Sequence, residues 1–201
     1  MEKLFALDGL VISQKKEWGE IVTGFETKNK YAIFDTSGNE LYNAIEKDGS
    51  TFMRWVLKSL RPFEININNY DNQLILKVSR PFRFYFHQLN IFNSQEELIG
   101  TIQRQFSIFR RIYSVLDSFG NELFEIFGPL LHPWTFEIKK GVEQHGKIIK
   151  KWSGLLKEGF TDADNFGVTF PREWDKKIKA LLLGAVFLID FVHFENTSKR
   201  R

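Results

Sequence analysis

The segment DADNFGVTFPRE, residues 162–173, gathers the acids whose spacing is best suited to chemistry in this chain. Asp162, Asp164 and Glu173 stand at positions one, three and twelve, with Gly167 at position six. That is the pattern of a calcium loop, in which carboxylates and backbone carbonyls supply the six to eight oxygens the ion takes. Phe166 occupies position five, where the pattern asks for another Asp or Asn. It offers only its carbonyl, as do Val168 and Phe170. Losing one carboxylate predicts weak affinity, near the millimolar end of such loops. A competing reading makes the segment a turn into a strand. Asp162 and Asp164 then accept from backbone amides, and Gly167 takes a left-handed conformation.

No other grouping points to covalent chemistry. The four histidines (His87, His132, His145, His193) lack metal-ligand spacing. No Gly-x-Ser-x-Gly, phosphate loop or Gly-x-Gly-x-x-Gly is present. The chain has no cysteine, which excludes disulfides, thiolate catalysis and S-acylation. An enzyme is therefore not expected.

The elements that must position these residues read as strands. The alternation Phe166, Val168, Phe170 has the two-residue period of a strand. YAIFDTSGNEL from Tyr31 and YSVLDSFGNEL from Tyr113 share six of eleven residues. Each reads as a hairpin whose Asp and Gly-Asn supply the turn. FEININNYDNQLILK from Phe63 and FEIKKGVEQHGKIIK from Phe136 follow in the same order. An internal duplication is the reading, with halves at roughly 17–93 and 98–172 of a single domain, 1–201. The nine extra residues of the first half fall in EKDGSTFMRWVL, from Glu46. Helical periodicity before residue 170 is confined to a short helix near Ser94 to Leu98.

Residues 180–189, ALLLGAVFLI, are apolar throughout. Ten helical residues span about 15 Å, half of a bilayer core of about 30 Å. A helix apolar on every side must be surrounded by protein. An all-β chain can surround it by closing its sheet, which also removes exposed edges. A barrel of about twelve strands is too wide for side chains alone to fill. The expected fold is a closed antiparallel barrel around a buried helix at 175–194. A single membrane anchor is the alternative. Asp190 reads as a wet helix end, with a buried acid holding a partner as the alternative, and His193 as a packed or capping residue.

GKIIKKWSG (146–154), FTDADNFG (160–167), FP (170–171) and KALLLGAVFLIDF (179–191) together resemble the phospholipid scramblase family. The resemblance covers most of the chain and is densest over its last fifty residues. It implies a tubby-like or LURP-one-like barrel around a C-terminal hydrophobic helix. It also implies calcium-responsive, bidirectional movement of phospholipids between leaflets. Asp162, Asp164, Phe166, Val168, Phe170 and Glu173 are the positions it assigns to calcium. Animal members carry a Pro-rich tail and a palmitoylated Cys-rich segment, neither of which is matched here. A peripheral lipid-binding barrel without translocation, or a regulatory module for protein or nucleic acid, are the alternatives.

Two basic clusters suit a partner with phosphates: Lys147, Lys150 and Lys151 beside Trp152, and Arg104, Arg110 and Arg111 among aromatics. An anionic phospholipid surface is the expected partner. Basic and aromatic residues also suit nucleic acid, but a net charge of only +3 does not favour it. MEKLFALDGLVISQ lacks the long apolar run of a signal peptide, so a cytosol-facing, membrane-associated location is expected.

Overall fold

The computed structural model describes residues 1–4, 6–15, 29–47, 62–82, 87–150 and 165–194. Twelve strands follow in order: β1 (Gly9–Lys15), β2 (Lys30–Phe34), β3 (Glu40–Glu46), β4 (Phe63–Asn68), β5 (Leu74–Arg80) and β6 (Gln88–Asn93). Then come β7 (Leu98–Arg104), β8 (Arg111–Asp117), β9 (Glu122–Gly128), β10 (Thr135–Lys140), β11 (Glu143–Lys150) and β12 (Asn165–Thr169). One α-helix, α1 (Lys176–His193), ends the described chain. Each strand pairs antiparallel with its neighbours in sequence, and β1 pairs with β12, so the sheet closes. The expected barrel and helix are both present.

Side chains point alternately into and out of the wall. In β4, Phe63, Ile65 and Ile67 are buried, while Glu64, Asn66 and Asn68 face outward. β5, β9 and β10 repeat the alternation. Along β4 and β5 the wall is thus apolar inside and polar outside, whereas on β1 and β2 the outer face carries a second buried apolar cluster of Val11, Ala32 and Phe34.

Four of the hairpins use one turn. Asp35, Asn69, Asn93 and Asp117 each accept, through Oδ1, from the amides two and four residues on, at 2.8–3.0 Å. The residue three positions on has positive φ: Gly38 (88°), Asn72 (58°), Glu96 (63°) and Gly120 (87°). Each turn follows a register shift, for example between Ile33 and Phe34 or Val115 and Leu116. The Asp-x-x-Gly-Asn pair read from sequence is half of this set. The short helix expected near Ser94 is instead the third such turn, leading into β7. Its Asn93 side chain caps backbone amides, which a helical periodicity count cannot see. β1 lies ahead of the expected first half. The EKDGSTFMRWVL stretch lies mostly outside the described residues.

The barrel therefore has two unlike ends. The five tight hairpins and the start of α1 mark the turn end. Odd-numbered strands finish, and even-numbered strands begin, at the loop end, where the described connections are 105–110 and 129–134.

Candidate functional site

α1 fills the barrel. Every residue from Lys179 to Phe191 is buried. Asp175 caps the first turn, its carboxylate accepting from the amides of Lys177 and Ile178. Aromatic contacts reach the helix from across the wall. Tyr31 of β2 meets Phe187 edge-on at 5.0 Å, and Phe63 of β4 stacks on Phe191 at 4.0 Å. Phe136 of β10 packs on His193 at 5.6 Å. No helix among the described residues is long and apolar enough to cross a membrane.

Polar groups anchor both helix ends. At the turn end the buried Lys179 ammonium donates to the carbonyls of Leu7 and Arg172, both at 2.8 Å. Burial lowers its pKa. At the loop end Asp190 accepts from Lys150 at 3.2 Å and from the Tyr31 hydroxyl at 3.1 Å. The Lys150 ammonium also lies over Phe166 and Phe194, 4.8 and 4.6 Å from their centroids. Asp190 is thus no wet helix end. Lys150 is no surface contact for lipid: it is turned inward to neutralise the one acid that the helix carries into the core. Lys151 and Trp152 lie outside the described residues.

His193 is packed, as its position implied. Its Nε2 is 2.6 Å from the Tyr113 hydroxyl. Burial first, then Arg111 and Arg104, push its pKa down to about 3. Burial, with Arg80 and Arg104, takes His87 to about 4. Between those values and about 6.5, the ordinary histidine value, the unfolded chain binds more protons than the barrel. Stability therefore rises with pH across that window. It is complete above about pH 6.5 and is lost progressively on acidification. His193→Gln is expected to flatten the fall of the urea midpoint between pH 7 and 5. An unchanged slope would place the acid sensitivity elsewhere.

The calcium motif can be tested for fit. Asp162 and Asp164 lie outside the described residues. Phe166 and Val168 sit within β12, which is bonded on one edge to β1 (Phe166 opposite Ile12, Val168 opposite Leu10) and on the other to β11. Their side chains and that of Phe170 are core. Glu173 lies in the turn before α1, at the far end of the strand. The five residues of β12 span about 13 Å, in four steps of roughly 3.3 Å, whereas calcium holds its oxygens at about 2.3–2.6 Å. The described members of the motif, Phe166, Val168, Phe170 and Glu173, thus follow one another along and beyond an extended strand. Among the described residues no three of His, Asp and Glu are grouped to hold a metal.

The Arg104, Arg110 and Arg111 cluster lies at the loop end, and its members differ. Arg111 braces the 129–134 connection, donating to the carbonyls of Pro133 (2.7 Å), Pro129 (3.0 Å) and His132 (3.2 Å). Its guanidinium also covers Phe136 at 4.4 Å. Arg110 is exposed, 5.7 Å from the ring of Phe127. Sequence reasoning missed the inward-facing partners Tyr31, Tyr113 and Lys179. Tyr31 and Tyr113 are the matched first residues of the two repeated hairpins, and that match was the available signal.

A closed up-and-down barrel plugged by its own C-terminal helix defines a class, and the comparisons place the chain within it. The Scramblase family model matches residues 1–196. Human phospholipid scramblase 1 is 35% identical over all of this chain and 67% of its own length. Human phospholipid scramblase 4 is 32% identical over all of this chain and 65% of its own. The chain belongs to the phospholipid scramblase family. It spans about two thirds of the length of these relatives. A solved structure from Arabidopsis thaliana shares the fold, with a TM-score of 0.54 over 92% of this chain and 94% of its own, at 11% identity.

Proposed function

We propose that this chain binds phospholipid membranes and moves phospholipids in both directions between leaflets, acting from the membrane surface with α1 inside the barrel. The relationship to phospholipid scramblases over the whole chain carries this reading. The geometry adds the manner of action. The barrel interior is occupied, so it offers no route for a head group. Lipid movement then follows from disturbing the bilayer at its surface. No covalent step is part of this reading.

Responsiveness to calcium belongs to the same proposal, on the resemblance of the DADNFG segment alone. No step is routed through the ion, because the described half of the motif does not converge. The test is fluorescent-lipid translocation in liposomes, with and without millimolar calcium. Translocation that rises with calcium is expected. Asp162→Asn with Asp164→Asn is expected to abolish the rise. Glu173→Gln is expected to shift the calcium midpoint by less than about twofold, since Glu173 lies beyond the end of β12 opposite to Asn165. A Glu173 variant as silent as the aspartate pair would restore the twelve-residue site. Folded, membrane-bound protein without translocation would reduce the function to lipid binding.

A further inference from the structure

The loop end carries a surface that the family relationship does not explain. Connections 105–110 and 129–134 join β7 to β8 and β9 to β10, so they lie side by side on the rim. Ile108 and Phe109 on the first are 77% and 73% exposed, and Leu130 and Leu131 on the second are 69% and 85% exposed. Between the two connections lies an open concavity of about 290 Å³, lined by Phe109, Arg110, Phe127, Leu130 and Leu131 among others. At the turn end, by contrast, exposed Tyr70, Phe119 and Val142 stand singly on separate turns. Scattered apolar residues are ordinary on any surface, whereas a contiguous patch marks an interaction site.

The two connections carry charge of one sign. Residues 104–111 and 128–135, RQFSIFRR and GPLLHPWT, hold three arginines and no carboxylate. Arg111 fixes the shape of the second connection through its three carbonyl contacts. Arg110 stands among the apolar tips, and Arg104 marks the end of β7 beneath them. Lys139 lies 4.3 Å over Phe127 and is paired with Glu137 at 2.7 Å. Apolar tips bordered by cations complement an anionic bilayer, whose phosphates lie just above its acyl chains.

We propose that this end of the barrel is the membrane-docking surface. Ile108, Phe109, Leu130 and Leu131 enter the boundary between head groups and acyl chains, and Arg104 and Arg110 meet the phosphates of anionic phospholipids. The inference rests on the phospholipid reading above and names the surface that would serve it.

The test is co-sedimentation of the full chain with vesicles of phosphatidylcholine alone and of phosphatidylcholine with phosphatidylserine. Wild type is expected to bind the mixed vesicles more tightly. Phe109→Ala with Leu131→Ala is expected to weaken that binding at least about tenfold, by removing buried apolar area. Arg104→Gln with Arg110→Gln is expected to weaken it by about fivefold per arginine on anionic vesicles, and to leave binding to phosphatidylcholine unchanged. Phe119→Ala with Val142→Ala, the same chemistry at the turn end, is expected to bind as wild type does. All sites but the half-buried Arg104 are exposed, and an unchanged thermal midpoint checks that each variant folds. Wild type that binds no vesicle would overturn the membrane reading itself. Wild type that binds while both loop-end pairs bind equally well, or while the turn-end pair weakens as much, would overturn the docking surface alone. Loop-end variants that keep vesicle binding but dissolve a dimer would reassign the patch to self-association.

Discussion

Replacing Asp190 by alanine is expected to destabilise the barrel by about 3–5 kcal/mol, the cost of stranding one member of a buried ion pair. Lys150 and Asp190 both have side chains only 7% exposed, and they are the charged link between helix and wall at the loop end. With Asp190 gone, the Lys150 ammonium keeps the faces of Phe166 and Phe194 but loses the carboxylate 3.2 Å away. The Tyr31 hydroxyl loses its acceptor in the same step. The double variant Lys150→Met, Asp190→Leu removes both charges and is expected to recover most of the loss, because well-packed apolar pairs often match buried ion pairs. Urea unfolding of the three proteins checks this. A single variant that costs less than about 1 kcal/mol, in the range of a surface pair, would show that water reaches the site.

Gly146→Ala is the second large effect. Gly146 lies in β11, and a Cβ built there would land on the carbonyl oxygen of Thr169 in β12. That oxygen is backbone and cannot swing aside. Thr169 stands opposite Lys147 on one side and Gly9 of β1 on the other, so the clash falls on the seam that closes the barrel. The expected cost is about 3 kcal/mol, at the upper end for overpacking because no side chain can yield. Gly184→Ala makes the contrast. Its Cβ would meet side-chain atoms of Ile91 at 2.8 and 3.0 Å, and these can shift. Alanine also returns about 1 kcal/mol of helix propensity. The net effect expected is within about 1 kcal/mol. Equal losses for the two variants would contradict the assignment of Gly146 to the seam.

The legibility of the chain follows from the range of each interaction. Turns were legible because their chemistry is local: Asp35 and Asp117 cap amides two and four residues away. The same turn at Asn69 and Asn93 was harder to recognise, since Asn72 and Glu96 stand where glycine gives the signal elsewhere. The buried helix was legible from its length and its all-round apolarity. The partners of Asp190 were not, because Lys150 and Tyr31 are 40 and 159 residues away in the chain. Lys150 looked like a lipid contact since local sequence reports charge but not the face on which it lies. The calcium motif was legible as a spacing, but spacing does not say whether a segment curls or extends. β12 runs extended between its two neighbours, and Glu173 lies beyond its end. Leu130 and Leu131 carry no surface signal in the sequence, because two leucines between prolines look like core until a fold puts them on the rim.

The central claim is that phospholipid movement needs no departure of the helix from the barrel. A disulfide staple tests it, and the absence of native cysteine makes the staple unambiguous. A Cβ at residue 184 lies 2.8 Å from Cγ1 of Ile91. One carbon–carbon bond further, it is within about 4.3 Å of the Ile91 Cβ, inside the range of a disulfide. Lipid translocation by Ile91→Cys, Gly184→Cys should be measured in liposomes with the bond formed and again after reduction. The account predicts the same rate in both states, within about twofold, because α1 stays against β6 throughout. Translocation that is absent in the oxidised protein and returns on reduction would contradict it, and would mean that the helix must leave the barrel to act.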